Sequence, residues 1–302
     1  MTIRRRRLLM AAGVAALLDR QLAFAHSSLA KSGPPVGDPW PPTVDEMINS
    51  PDGTPLFVRS GGSGPLNIIF VHGWSCSHQF FGPQFAAVGS EFPFAALDLA
   101  GHGRSGNRSQ HTVSGFADDV MAVASRLSGS LILVVHSAGG RVACEVASRL
   151  GRRLVGIVGI DSFQNLGLPA PTKSQIEAAL KALREDFSGR IAQSLSFLLP
   201  ASADSSLREW IHAQMTATDP AQAIGASAAF AKTDAAAAIA GFDRPVVALN
   251  SDSVPTHQDQ IQKILPRFSA HILQGQGHFP HLLKPLEFNQ LLLSTLHNIN
   301  QG

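Results

Sequence analysis

Leu131-Ile132-Leu133-Val134-Val135-His136-Ser137-Ala138-Gly139-Gly140 is the stretch whose reading decides the fold. Five consecutive apolar residues predict a strand buried on both faces, as strands of parallel sheets are. Ser137 follows one residue later, and Ala138-Gly139-Gly140 opens an amphipathic helical stretch that runs through Arg149. Strand, serine, glycines and helix in that order form the pattern of a nucleophile elbow, in which a sharp, strained turn presents the hydroxyl to a cleft. Small residues after the serine let the helix pack close to the strand and leave the Ala138 amide free to receive an oxyanion. The usual pattern has glycine two residues before the serine. Here that residue is Val135, whose branched side chain is expected to crowd the turn. The simpler reading is a serine in an ordinary strand-to-helix turn, so the flanking sequence must decide.

Working upstream, residues 44–49 and 55–59 predict two strands separated by Pro51-Asp52-Gly53, a hairpin signal. Residues 67–71 predict a third, apolar strand that runs into His72-Gly73-Trp74-Ser75. In an acyl-transfer enzyme this is where the second oxyanion donor sits, here the backbone amide of Trp74, with Gly73 permitting a tight approach. Residues 94–97 predict a fourth buried strand, ending in Asp98-Leu99-Ala100-Gly101-His102-Gly103-Arg104-Ser105. Downstream, residues 154–160 predict a strand ending at Asp161, followed by strands at 245–249 and 270–273.

His-Gly-Trp, Asp-x-x-Gly-His-Gly-Arg-Ser and His-Ser-x-Gly-Gly, in this order, resemble the α/β-hydrolase superfamily, and the resemblance covers residues 44–300. It implies an α/β fold: a mostly parallel, eight-stranded sheet wrapped by helices, with a helical lid inserted after the sixth strand. Residues 101–105 are mainly a structural turn in such proteins and are assigned no chemistry. Gly275-Gln276-Gly277-His278 follows the last strand, where this family keeps its catalytic base, and the order Ser137…His278 matches the family's. His281 lies three residues further on and is expected to start the final helix. The triad acid stays open between two residues. Most relatives carry it after the seventh strand, usually within Gly-x-x-Asp. Here Asn250-Ser251-Asp252 lacks the glycine and Asp252 follows the strand almost at once. That shortened form resembles members with the acid after the sixth strand, and the spacing from Ser137 to Asp161 favours Asp161.

Residues 163–242 are too long for a simple connection and carry helix starts of their own. These are a capping box at Ser174 and Glu177, Asp204-Ser205-Ser206, and Asp219-Pro220. The segment's apolar residues, Trp210 and Phe230 among them, are expected to pack the lid on the core and in part to line an apolar substrate pocket. The division is thus a core of 44–162 and 243–302 with a lid of 163–242.

Composition bounds the remainder. With 302 residues, 44% hydrophobic and 15% charged, the chain is globular. Residues 1–25 resemble an export signal, possessing Arg4-Arg5-Arg6-Arg7, a short apolar run and Ala23-Phe24-Ala25. The paired arginines are similar to a twin-arginine leader, and a periplasmic or secreted protein with no membrane span is expected. A Pro-, Gly- and Ser-rich linker fills 26–43. Residues 1–25 hold five Arg and one Asp, so of the 24 basic and 22 acidic residues 19 and 21 lie beyond them, a net charge of −2. Nothing here invites nucleic acid. Cys76 and Cys144 are the only cysteines and are expected to be small buried residues, not a bridge. No His-Glu-x-x-His or Cys-x-x-Cys occurs, so no metal and no cofactor is expected.

The expected chemistry is a serine hydrolase that cleaves a carboxylic ester or lactone of a small, fairly hydrophobic substrate through an acyl-enzyme. Ser137 is the nucleophile, His278 the base, Asp161 or Asp252 the acid, and the Trp74 and Ala138 amides the oxyanion donors. Relatives with an aspartate nucleophile, haloalkane dehalogenases and epoxide hydrolases, do not fit a serine at 137. The chain also lacks the tyrosines of epoxide hydrolase lids. A cofactor-free perhydrolase, a carbon–carbon hydrolase or a non-catalytic ligand-binding member shares the same residues and stays open.

Overall fold

Apolar residues alternate across the central strands between two cores. In Leu131–His136 (β5), Leu131, Leu133 and Val135 join one buried cluster and Ile132 and Val134 another. Asn67–Val71 (β3) divides likewise, Ile69 and Val71 against Ile68 and Phe70. A strand whose two faces are both apolar must be covered twice, and each fully buried Leu, Ile, Val or Phe side chain contributes about 1.5–3 kcal/mol. These strands lie at the centre of an eight-stranded sheet in a computed structural model that describes residues 42–301. The expected leader of 1–25 and nearly all of the expected linker of 26–43 lie outside the described residues.

The other strands are Thr43–Asn49 (β1), Pro55–Gly61 (β2), Phe94–Leu97 (β4), Leu154–Ile160 (β6), Val246–Ser251 (β7) and Phe268–Leu273 (β8). Their order is β1-β2-β4-β3-β5-β6-β7-β8. The β1–β2 hairpin and the β2–β4 pair are antiparallel, and every pair from β4 to β8 is parallel. The hairpin turns at the predicted residues: Gly53 has φ 85° and Asp52 accepts the Thr54 amide at 2.9 Å. One face of the sheet is covered by Val113–Ala124 (α2) and Gly139–Leu150 (α3), which supply Phe116, Val120, Val142 and Val146 to the first cluster. Gly82–Gly89 (α1) and Pro285–Gln301 (α11) cover the other with Phe85, Phe288 and Leu292.

Between β6 and β7 run five helices, Lys173–Glu185 (α4), Phe187–Leu198 (α5), Ser205–Thr216 (α6), Pro220–Lys232 (α7) and Ala235–Ile239 (α8). Asp204 and Asp219 cap α6 and α7 as read from the sequence. The capping box of α4 is displaced from the expected pair. Thr172 and Gln175 form it reciprocally, and Ser174 lies inside the first turn. Thr-x-x-Gln satisfies the same two kinds of amide as Ser-x-x-Glu, and with Thr172 as its extended cap the helix starts two residues earlier than expected. Trp210, Ile211, Ile191 and Leu195 of the insertion form a third apolar cluster with Phe80, Cys76 and Phe279 of the core, so the insertion is seated over the ends of the strands. Phe197, one of the insertion's apolar residues, is instead 77% exposed. Both cysteines are free and buried, and burial pushes the Cys144 thiol up to about 12. No helix among the described residues is long and apolar enough to cross a membrane.

Candidate active site

Three loops meet at the C-terminal ends of the strands. Ser137 sits between β5 and α3 with φ 51°, a left-handed conformation that costs a non-glycine residue about 1–3 kcal/mol. The surroundings hold it there. Its amide donates to the Ile160 carbonyl at 3.0 Å, and its own carbonyl accepts the Ser162 hydroxyl at 2.8 Å. Gly139 allows α3 to start against β3, since a Cβ there would lie 2.6 Å from the Val71 carbonyl oxygen. Val135 does not crowd the turn as expected. It pairs with Gly159 in the β5–β6 register and is fully buried in the same cluster as Phe163, whose ring takes the space a Gly159 Cβ would fill.

Asp161 ends β6, also with a positive φ, 43°. Its side chain is 1% exposed. One oxygen accepts the Ser251 amide at 2.7 Å and the Ser251 hydroxyl at 2.9 Å; the other meets His278 Nδ1 at 2.5 Å. Burial works to raise the Asp161 carboxyl, but the bonds and charge of His278 and the Ser251 bonds outweigh it, and the net direction is down. The carboxylate only accepts, so His278 Nδ1 carries the proton and Nε2 is left as an acceptor. Nε2 lies 2.8 Å from Ser137 Oγ, which therefore donates to it. Asp161, His278 and Ser137 thus form one continuous relay.

Asp252, the other acidic candidate, is not in it. Both of its oxygens accept the Gly275 amide at 3.1 Å, at the exposed foot of the loop that bears His278. His281 is likewise separate, on a short helix, Pro280–Leu283 (α10), which follows Gln258–Gln262 (α9) and lies ahead of α11 rather than at its start. Its imidazole is buried 5.7 Å from the Phe81 ring and 5.9 Å from that of Phe288.

The backbone amides of Trp74 and Ala138 make no hydrogen bond to another backbone group among the described residues. Gly73 brings the first toward Ser137, since a Cβ on it would lie 3.0 Å from Ser137 Cβ. Ser75, directly after Trp74, is a further left-handed residue, φ 55°. Positive φ outside glycine occurs at four residues among those described, and three of them are Ser137, Asp161 and this neighbour of Trp74. The strain therefore collects where the polar groups converge.

The insertion touches two of the three loops. The Leu198 carbonyl at the end of α5 accepts the His278 amide at 2.7 Å, and the Trp74 indole donates to the Ala223 carbonyl of α7 at 2.7 Å. The loop of 98–105 is held by Asp98, whose carboxylate accepts the amides of His78 and Arg104 at 2.6 and 2.8 Å. The sequence reading missed Ser251, which orients Asp161, and the tie from Leu198 to His278. Neither leaves a periodic trace, because each joins residues about 80 or more positions apart.

Comparison with known proteins identifies the family and the fold. A model of the alpha/beta hydrolase family matches residues 68–291. A pimeloyl-[acyl-carrier protein] methyl ester esterase from Sodalis glossinidius is 27% identical over 251 residues, 78% of this chain and 96% of that protein. Among solved structures, a thermophilic esterase from Thermogutta terrifontis superposes with a TM-score of 0.73 at 20% identity, covering 86% of this chain and 99% of that one. An esterase from Exiguobacterium antarcticum gives 0.75 at 15% identity, covering 84% and 100%. At these identities the two structures speak to the fold alone.

Proposed function

The chain belongs to the alpha/beta hydrolase family, and from that premise we propose that it is a serine hydrolase of carboxylic esters working through an acyl-enzyme. The observation that carries this is the relay from Asp161 through His278 to Ser137, beside the Trp74 and Ala138 amides, which have no backbone partner among the described residues. Ser137 Oγ passes its proton to His278 Nε2 as it attacks the acyl carbon. The amides of Trp74 and Ala138 receive the oxyanion, and the buried Asp161 carboxylate stabilises the imidazolium. Collapse of the tetrahedral intermediate delivers the proton to the leaving alkoxide. Water, deprotonated by the same imidazole, then releases the acid.

Apolar walls support a small, fairly hydrophobic substrate. Trp74 is packed against both the core and the third cluster, and the Phe187 ring of α5 stands edge-on to it at 6.2 Å. The esterase name of the Sodalis glossinidius relative supports ester hydrolysis. Steady-state hydrolysis of a p-nitrophenyl ester series by wild type and Ser137→Ala tests the proposal. Loss of the nucleophile is expected to cost on the order of 10⁶ in kcat, and comparable turnover by the two proteins would refute it.

Export is a separate part of the proposal, resting on the arginine cluster, short apolar run and Ala23-Phe24-Ala25. N-terminal sequencing of protein from its native host should begin after Ala25, and a retained Thr2 terminus on a cytoplasmic pool would contradict it.

A further inference from the structure

His136 precedes the nucleophile and touches both other loops. Its Nε2 lies 2.9 Å from the backbone carbonyl oxygen of His278. Its Nδ1 lies 3.0 Å from where a Cβ on Gly73 would stand, on the Trp74 loop. The ring is buried, 4.8 Å from the His278 ring and 5.1 Å from Phe279. A carbonyl only accepts, so Nε2 carries the proton. Burial, with the neighbouring His278 second, pushes the His136 pKa down to about 3, and the ring is neutral at any working pH.

The two peptide groups that flank the His278 Cα are consequently both held. Its N–H donates to Leu198 of the insertion at 2.7 Å and its C=O accepts from His136 of the elbow at 2.9 Å. Those two bonds fix the backbone on either side of the Cα from which the imidazole projects, and a displacement of about 1 Å in a reacting group costs about 10² in rate. Packing alone gives a poor account of a histidine here. His136 Nδ1 is buried with no hydrogen-bond partner among the described residues, and an apolar side chain would avoid that penalty.

We propose that His136 is a positioning residue for the reaction: its Nε2–H holds the His278 carbonyl so that the His278 imidazole stays in line between Asp161 and Ser137. This rests on the serine-hydrolase reading. The test compares wild type, Ser137→Ala, His136→Gln and His136→Leu in p-nitrophenyl ester kinetics, with melting temperature as the check on folding. The Gln amide nitrogen reaches about where Nε2 stands, whereas Leu removes the donor. His136→Leu should lower kcat about 10²-fold with KM nearly unchanged, and His136→Gln should recover most of that loss. Should His136→Leu not fold, His136→Asn carries the test, because its shorter amide stops short of the His278 carbonyl and should fall well below Gln. Retained kcat in His136→Leu, or equal losses in the Gln variant and the one lacking reach, would overturn the inference while Ser137→Ala stays inactive. Turnover that survives Ser137→Ala would overturn the hydrolase reading and the inference together.

Discussion

Replacing Asp161 by Asn tests the relay at its buried end, and the structure dictates how the amide must sit. One Asp161 oxygen accepts two donors, the Ser251 amide and hydroxyl. In Asp161→Asn only the amide oxygen can take that place, so the NH₂ group is turned to His278 Nδ1. Two donors cannot face each other, and the imidazole must move its proton to Nε2. That nitrogen then has no lone pair for the Ser137 proton, and the base is disabled with its geometry intact. A wrong tautomer of this kind costs about 10⁴ in kcat, or about 5.5 kcal/mol at about 1.4 kcal/mol per decade. Asp252→Asn is the matched control. It keeps one acceptor for the exposed Gly275 amide and should leave kcat within about threefold, since an exposed bond of this kind contributes about 0.5–1.5 kcal/mol to stability and nothing to the tautomer. The assay is ester hydrolysis at saturating substrate, with melting temperatures to establish that both variants fold. A folded Asp161→Asn with a tenth or more of wild-type kcat would refute the reasoning, as would Asp252→Asn being the more damaged.

Two further outcomes follow from packing and burial. Burial holds His102 and His136 down at about 3 against an ordinary 6.5, and it lowers His72 and His281 as well. The unfolded chain takes up these protons below pH 6.5 while the native state does not, so stability is complete above pH 6.5 and falls as pH drops below it. His102 and His136 together account for about 3 kcal/mol between pH 7.5 and 5.5, and scanning calorimetry at those values should show a clear loss of Tm, a flat profile contradicting the burial argument. Gly139→Ala should destabilise by about 1–3 kcal/mol through overpacking, because its Cβ would press on the Val71 and His72 carbonyl oxygens. Chemical denaturation would detect this, and an unchanged midpoint would show that α3 starts further from β3 than described.

The sheet was legible because its determinants are local. Unbroken apolar runs in β3, β4 and β5 need cover on both faces, and glycine-rich turns mark where the strands end. Ser137 and His278 were legible for a related reason, since each sits in a short glycine-flanked motif whose place in the chain order is itself informative. Asp161 against Asp252 was not decidable from spacing alone, as both aspartates end strands. What separates them spatially is Ser251, whose amide and hydroxyl turn the Asp161 carboxylate toward His278, while Asp252 lies at the exposed foot of the loop. Val135 was misjudged because its side chain is taken up, fully buried, by the first apolar cluster, whose other members come from many separate stretches of the chain. The roles of His136 and Leu198 are side-chain-to-backbone and backbone contacts over 142 and 80 positions, which no sequence window contains.

The most direct test of the central claim is covalent. Incubation with a fluorophosphonate probe, followed by intact-protein and peptide mass spectrometry, asks whether Ser137 is an activated nucleophile. The account predicts one adduct per chain, on Ser137, absent from Ser137→Ala and strongly slowed in Asp161→Asn. No adduct on folded wild type, or labelling of equal rate in Ser137→Ala, would contradict it.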